Sequence, residues 1–220
     1  MTPVLSSTNY SLFDSAQYIS PGESSNRAVQ LVSNATQVDG GIDFGTTGIA
    51  TVADIQQLST DYQFEVGSCG GGSPRFQINA ETPAGVKNIF VYIGPMPNYT
   101  GCPTGWQSSG NLVGAGTVVD ASQLGGGYYE SWSDVLAAYG SYPVVGIQLV
   151  ADGGWLLDQT VDIDNTVINA ANYTYEAPDL SQCKNGNWSS LTDAVGHSFK
   201  NQGDCVSYVA TGGQNTAMGK

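Results

Sequence analysis

Apolar residues recur along the chain in short runs rich in Val, Ile, Tyr and Thr, and clusters of Gly, Pro, Asn and Asp separate them. Alternation of β-formers with turn-formers at this spacing predicts an all-β sandwich or barrel, not a succession of helices. The candidate strands are 27–33, 48–53, 62–67, 75–79, 88–94, 116–120, 144–151, 160–169 and 173–176. Within 144–150, Val145, Ile147 and Leu149 share one face, and Val144, Gly146, Gln148 and Val150 share the other. That strand is therefore buried on at least one side and central. Thr160 to Asn169 also alternates, with Val161, Ile163 and Val167 opposite Asp162, Asp164 and Thr166. The second face is expected to meet solvent or an ion.

One short helix is predicted. Ser131 precedes Trp132–Tyr139, Asp134 stands where a capping box needs a carboxylate, and Gly140 is placed to end the helix. Its stripe of Trp132, Val135, Leu136 and Tyr139 is expected to pack on the sandwich. The glycine clusters at Gly70–Ser73 and Gly125–Gly127 read as turns, because neither leads into the helix start that a phosphate-binding loop requires.

At 220 residues the chain fits a single sandwich, and its 40% hydrophobic content suffices for a core without metal or partner. Only 11% of residues are charged, and six Lys and Arg face nineteen Asp and Glu for a net charge of -13. With no basic cluster, that balance repels phosphate backbones and anionic membranes, which argues against nucleic acid as a partner. No apolar run approaches the roughly 20 residues of a membrane helix, so membrane insertion is not expected. Met1 to Asn9 lacks the basic and apolar regions of a signal peptide, so secretion implies that the signal has been removed.

The four cysteines, Cys69, Cys102, Cys183 and Cys205, are even in number within a Gly-rich, Lys-poor chain, which suggests an oxidising compartment. Three pairings are possible, and proximity favours Cys69 with Cys102 and Cys183 with Cys205. Zinc is disfavoured, because no C-x-x-C occurs and the single His197 has no partner at ligand spacing. From Pro178 onward the chain changes character. Both C-terminal cysteines and three of the six basic residues lie there, which divides the chain into a sandwich with an N-terminal arm over 1–177 and a disulfide-closed segment and tail over 178–220.

A serine or cysteine hydrolase needs a base, yet His197 neighbours only Cys205, expected to be oxidised, and G-x-S-x-G is absent. Asp162 and Asp164 lie about 7 Å apart on one strand face, a spacing compatible with the two carboxylates of a glycosidase. Sugar binding calls for aromatic platforms beside amides and carboxylates. Tyr99, Trp106, Tyr128, Tyr129 and Trp155 stand in loop-like contexts, with core or turn packing as the alternative for each. Tyr128 and Tyr129 are adjacent, so in an extended strand one ring must face away from the core. Arg75 opens a strand and is expected to pair with a buried carboxylate or to meet an acidic ligand.

Leu12-Phe13-Asp14 near the N-terminus, the long run of strands, and Val161-Asp162-Ile163-Asp164-Asn165 late in the chain resemble carbohydrate-binding modules of the jelly-roll type. The resemblance implies an antiparallel jelly-roll-like β-sandwich. It also implies a structural calcium held by Asp164 with Asp14 or Glu23. Asp162, on the same face as Asp164, joins this candidate set, with plain solvent exposure as the alternative. The stretches Gln182 to Trp188 and Phe199 to Val209 resemble a terminal motif of secreted bacterial proteins, which implies bacterial origin and a secreted or cell-surface location but no activity. The expected function is an extracellular, non-catalytic module that binds glycan or cell-surface polysaccharide through exposed aromatics. The alternatives are an adhesive surface protein that self-associates through its sheet edges, and a glycan-cleaving enzyme with paired carboxylates.

Overall fold

Along the chain, strands β1 (Tyr10–Asp14), β2 (Gln17–Ile19), β3 (Ala28–Ser33), β4 (Asp39–Phe44), β5 (Leu58–Val66), β6 (Arg75–Thr82) and β7 (Gly85–Tyr92) come first. They are followed by β8 (Gln107–Ser108), β9 (Val118–Val119), β10 (Glu130–Ser131), helix α1 (Trp132–Tyr139), β11 (Val144–Asp152), β12 (Gln159–Ile168), β13 (Ala171–Tyr173) and helix α2 (Gln202–Ala210). The computed structural model describes residues 9–153, 158–176, 179–193, 196–211, 213 and 215–218. One sheet runs β1-β4-β11-β6-β7. The other runs β2-β3-β12-β5-β8, with β13 also paired to β12. Every ladder is antiparallel.

Alternate positions of both sheets meet in one core. Ile42, Phe76, Ile78, Ile89, Ile147 and Leu149 come from the first sheet, and Val29, Leu31, Leu58, Val161 and Ile163 from the second, all essentially inaccessible. Each such side chain contributes about 1.5–3 kcal/mol by leaving water. The fold is thus an antiparallel sandwich, as the strand pattern predicts.

Several elements depart from the pattern for physical reasons. Val145, expected inside with Ile147 and Leu149, is 52% exposed, because a bulge between Val144 and Gly146 shifts the register and turns Val144 inward instead. Residues 48–53 form no strand. Asp54 there accepts hydrogen bonds from the backbone N–H groups of Ala50 and Thr51 and holds Val52–Asp54 in a short helical turn. β4 was not expected, since Gly40 and Gly41 leave only Ile42 and Phe44 to show its alternation. The second face of β12 does not meet solvent: Asp162, Asp164 and Thr166 are all buried.

Helix α1 begins where predicted, with the Ser131 hydroxyl accepting from the Asp134 N–H. Gly140 ends it in right-handed geometry (φ −56°), so it serves as a terminus without a left-handed cap. A second helix, α2, was not anticipated; Asn201 caps it by accepting from the Asp204 N–H. Disulfides join Cys69 to Cys102 and Cys183 to Cys205. The second one sits in a separate apolar cluster with Leu191, Phe199, Tyr208 and Val209.

Candidate ligand-binding face

The outward face of the five-stranded sheet is polar along its middle and aromatic at its ends. Ladder register aligns Ser11, Asp43, Gln148, Gln77 and Phe90 across the strands, and a bridge from Phe90 adds Asp120. A second row reads Phe13, Gly41, Val150, Arg75 and Tyr92. These residues face out because their neighbours Ile42, Phe76, Ile147 and Leu149 face in.

The middle of the first row is joined by hydrogen bonds. Gln148 Nε2 donates to Asp43 Oδ1 at 2.6 Å, and Gln77 Nε2 donates to Gln148 Oε1 at 3.0 Å. Gln77 Nε2 also reaches Asn79 Oδ1 at 3.3 Å. Each partner fixes the next, so the row is preorganised and does not need ordering by a ligand. At one end the Phe13 ring lies against Gly41, where any Cβ would collide with it. At the other, the Arg75 guanidinium carbon stands 4.7 Å from the centre of the Phe90 ring.

Arg75 pairs with a carboxylate as expected: it is bonded to Asp152 and donates from Nη1 to the Gly72 carbonyl at 2.8 Å. Its Nε and the second oxygen of Asp152 are buried without a hydrogen-bond partner. Beside it, the Tyr92 hydroxyl donates to Asp120 Oδ2 at 2.6 Å, and burial together with that carboxylate pushes the phenol's pKa well up. Arg75, Phe90, Tyr92, Asp120, Gln123 and Tyr128 enclose most of a pocket of about 260 Å³.

Of the five aromatic residues nominated, Tyr128 and Tyr129 come to this end of the face, 68% and 57% exposed. Tyr99 is buried, so it is a prop and not a platform. Its ring lies parallel to Tyr129 at 6.1 Å and edge-on to Tyr92 at 5.5 Å, and its hydroxyl donates to the Val118 carbonyl. Trp106 is half-buried just before β8, at the edge of the other sheet. Trp155 lies outside the described residues. Phe13, Asp43, Gln77, Gln148 and Phe90 had not been nominated as ligand residues. The available signal was the isolated glutamine in each of two apolar strands, Gln77 between Phe76 and Ile78, and Gln148 between Ile147 and Leu149.

Of the proposed calcium ligands, Glu23 lies beside Asp164, with the Asn165 amide donating to Glu23 Oε2 at 3.3 Å, whereas Asp14 stands apart. Asp14 ends β1 in the first sheet beside Asp39, while Asp162 and Asp164 belong to the second sheet. The chain changes sheets between β1 and β2, and that step separates them. Asp164 Oδ2 accepts from the Glu23 N–H (2.9 Å) and the Ser25 hydroxyl (2.7 Å), and Oδ1 accepts from the Asn165 N–H (2.8 Å). Asp162 accepts from Gln30 Nε2 at 2.9 Å. Burial holds both carboxyls above the usual carboxylate range, and it does the same for Glu23, where Asp61 adds to the effect. Among the described residues no group of three or more His, Cys, Asp or Glu is arranged to hold an ion. The same burial, 4% and 0% exposed, withdraws Asp162 and Asp164 from any substrate and removes them as a glycosidase pair. His197 stands at 3.2 Å from Asp193 on an exposed turn, and Cys205 is oxidised, so no Cys–His pair exists.

No helix among the described residues is long and apolar enough to cross a membrane. No family model matches the sequence, and no curated protein matches it. Among solved structures the chain is similar to a xylan-binding domain, CBM22-1, from Paenibacillus barcinonensis, with 11% identity over 74% of this chain and 90% of that one and a TM-score of 0.36. It is similar to an exo-β-agarase at 16% identity over 73% of this chain and 23% of that one, with a TM-score of 0.35. A xyloglucanase domain of a type three effector from Sinorhizobium fredii is similar at 13% identity over 73% and 97% of the two chains, with a TM-score of 0.25.

Proposed function

We propose that this protein is an extracellular module that binds a neutral polysaccharide along the outward face of its five-stranded sheet. The observation that carries this reading is the hydrogen-bonded row Asp43–Gln148–Gln77 set between the rings of Phe13 and Phe90. A pyranose offers an apolar C–H face and a rim of hydroxyls, each both donor and acceptor. Rings suit the first, and fixed amides and a carboxylate suit the second. From Ser11 to Asp120 the row crosses five strand intervals, about 24 Å at the usual spacing, which is long enough for several sugar units.

Charge selects among sugars. Asp39, Asp43, Asp120 and Asp152 lie on or beside this face, and the one cation in the two rows, Arg75, is already paired with Asp152. Uronic or sulfated sugars meet repulsion here, whereas neutral ones do not. The two disulfides fit an oxidising, extracellular setting.

Affinity electrophoresis through gels containing xylan, xyloglucan or agar tests the proposal. The wild type is expected to be retarded by at least one of these, with Gln148→Ala weakening Kd at least about tenfold, or about 1.4 kcal/mol. Gln63→Ala, in β5 of the opposite sheet, is expected to match the wild type. Free migration of the wild type through all three gels, or equal retention of Gln148→Ala, contradicts the assignment.

A further inference from the structure

We infer that the joint between the sandwich and the C-terminal segment is a second binding site, for a small neutral ring compound such as a phenol, independent of the sheet face and its ligand. Two apolar clusters pack separately in this chain. Phe44, Ile49, Ile168 and Tyr173 belong to the cluster of the sandwich, and Leu191, Phe199, Tyr208 and Val209 to that of the disulfide-closed segment. Where the two meet, a chamber of about 220 Å³ remains. Ile49, Ile168, Ala170, Ala171 and Tyr173 line it from the sandwich, and Asp193, Tyr208, Gly213 and Thr216 line it from the segment. An apolar cavity of about 150 Å³ already takes up benzene, so this one has room for a substituted six-membered ring.

The polar groups of the walls are engaged within the protein. Asn169 accepts at Oδ1 from the N–H groups of Gln56 (2.8 Å) and Gln57 (3.1 Å) and donates from Nδ2 to the Asp54 carbonyl at 2.8 Å. Asn9 Nδ2 donates to Thr47 Oγ1 at 3.3 Å, and the Gly45 N–H donates to the Asn9 carbonyl at 2.8 Å. Across the chamber, Asp193 accepts from the His197 N–H at 2.7 Å and from the Ala217 N–H at 3.1 Å, and the Gly213 N–H donates to the Tyr208 carbonyl at 2.8 Å. Walls bound in this way offer a ligand few new hydrogen bonds, so a sugar ring would leave hydroxyls unpaired there. A ring with an apolar body suits the aliphatic side. Thr47 Oγ1, an acceptor toward Asn9, keeps its own proton for one oxygen on the ligand. The Asp193 carboxylate disfavours an anion.

The chamber opens beside Gly48 and Ala170. Both are exposed, and with Asn169 they also line an open groove of about 580 Å³ that continues past Asp54, Gln56 and Gln57. A Cβ built on Gly48 would meet nothing within 4 Å, so this entrance is uncrowded. Because one side of the chamber comes from the turn between β12 and β13 and the other from helix α2 and the residues after it, it exists only while the segment is docked. A ring bound there favours the docked arrangement.

Phenol, cyclohexanol and benzoate, each titrated into the full chain labelled at its Ala and Ile methyl groups, test the site by NMR. The two neutral rings are expected to bind at least about tenfold more tightly than benzoate. Intermolecular NOEs from phenol are expected at the methyls of Ile49, Ile168 and Ala171. They are read on the wild type, so they test the site without any variant. Ala170→Trp, which fills the exposed entrance, is expected to keep the wild-type Tm and to weaken phenol binding at least about tenfold, whereas Ala170→Ser is expected to bind as the wild type does. Failure of both neutral rings to bind, benzoate binding as tightly as phenol, NOEs confined to methyls elsewhere, or full affinity in folded Ala170→Trp each overturns the inference.

Discussion

Four carboxyls among the described residues, Glu23, Asp39, Asp162 and Asp164, are held above the ordinary range, in each case first by burial. A carboxyl with a raised folded-state pKa keeps its proton at a pH where the unfolded chain has lost it. The folded state is therefore favoured as pH falls from neutral through the raised values toward the ordinary range near about 4. Asp54 has the opposite sign: the N–H groups of Thr51 and Ala50 lower its pKa, but it is fully exposed and weighs little. Calorimetry is thus expected to give a higher Tm at pH 5 than at pH 7.5. Asp162→Asn keeps an oxygen for Gln30 and removes a buried charge, so it should raise the Tm at pH 7.5 and flatten the pH dependence. A Tm that falls on acidification to pH 5, or an unchanged slope in the variant, contradicts this account. The alternation of β12 displayed these aspartates on one face, but their cover was not legible. Ser25, which bonds Asp164, lies 139 residues away in the chain.

At the scale of elements, short β-branched and aromatic runs marked β3, β6, β7, β11 and β12 well, because most of their inward positions are apolar, whereas β5 starts four residues before the expected run, at Leu58, where the buried Thr60 interrupts its apolar face. Glycines concealed β4, and one of them has a steric role, since Gly41 makes room for the Phe13 ring on the outward face. The bulge in β11 was equally hidden: a two-residue period predicts Val145 inside, and only pairing with β6 turns it out. That displacement has a measurable consequence. Val145→Ser is expected to change unfolding free energy by less than about 0.5 kcal/mol, as for an ordinary surface site. Ile147→Ala, two residues on and 1% exposed, should cost about 2–5 kcal/mol in urea unfolding. Equal losses at the two positions contradict the observed register.

Across the whole molecule, the cysteines were the most legible long-range feature, since their separations of 33 and 22 residues made the nearest pairing the economical one. The proposed binding face was the least legible. Its row draws single residues from β1, β4, β11, β6 and β7, so no local window of sequence contains more than one of them. The adjacent pair Tyr128 and Tyr129 was visible because it is local, and it marks the edge of the face more than its centre. The central claim is that sugar lies across the amides of the five-stranded sheet. Side-chain amide resonances in a ¹H–¹⁵N NMR titration with the retarding polysaccharide's oligomers report on it directly. Gln77 and Gln148 are expected to shift with saturation while Gln30 and Gln63 of the opposite sheet stay in place; shifts confined to Gln30 and Gln63 contradict it.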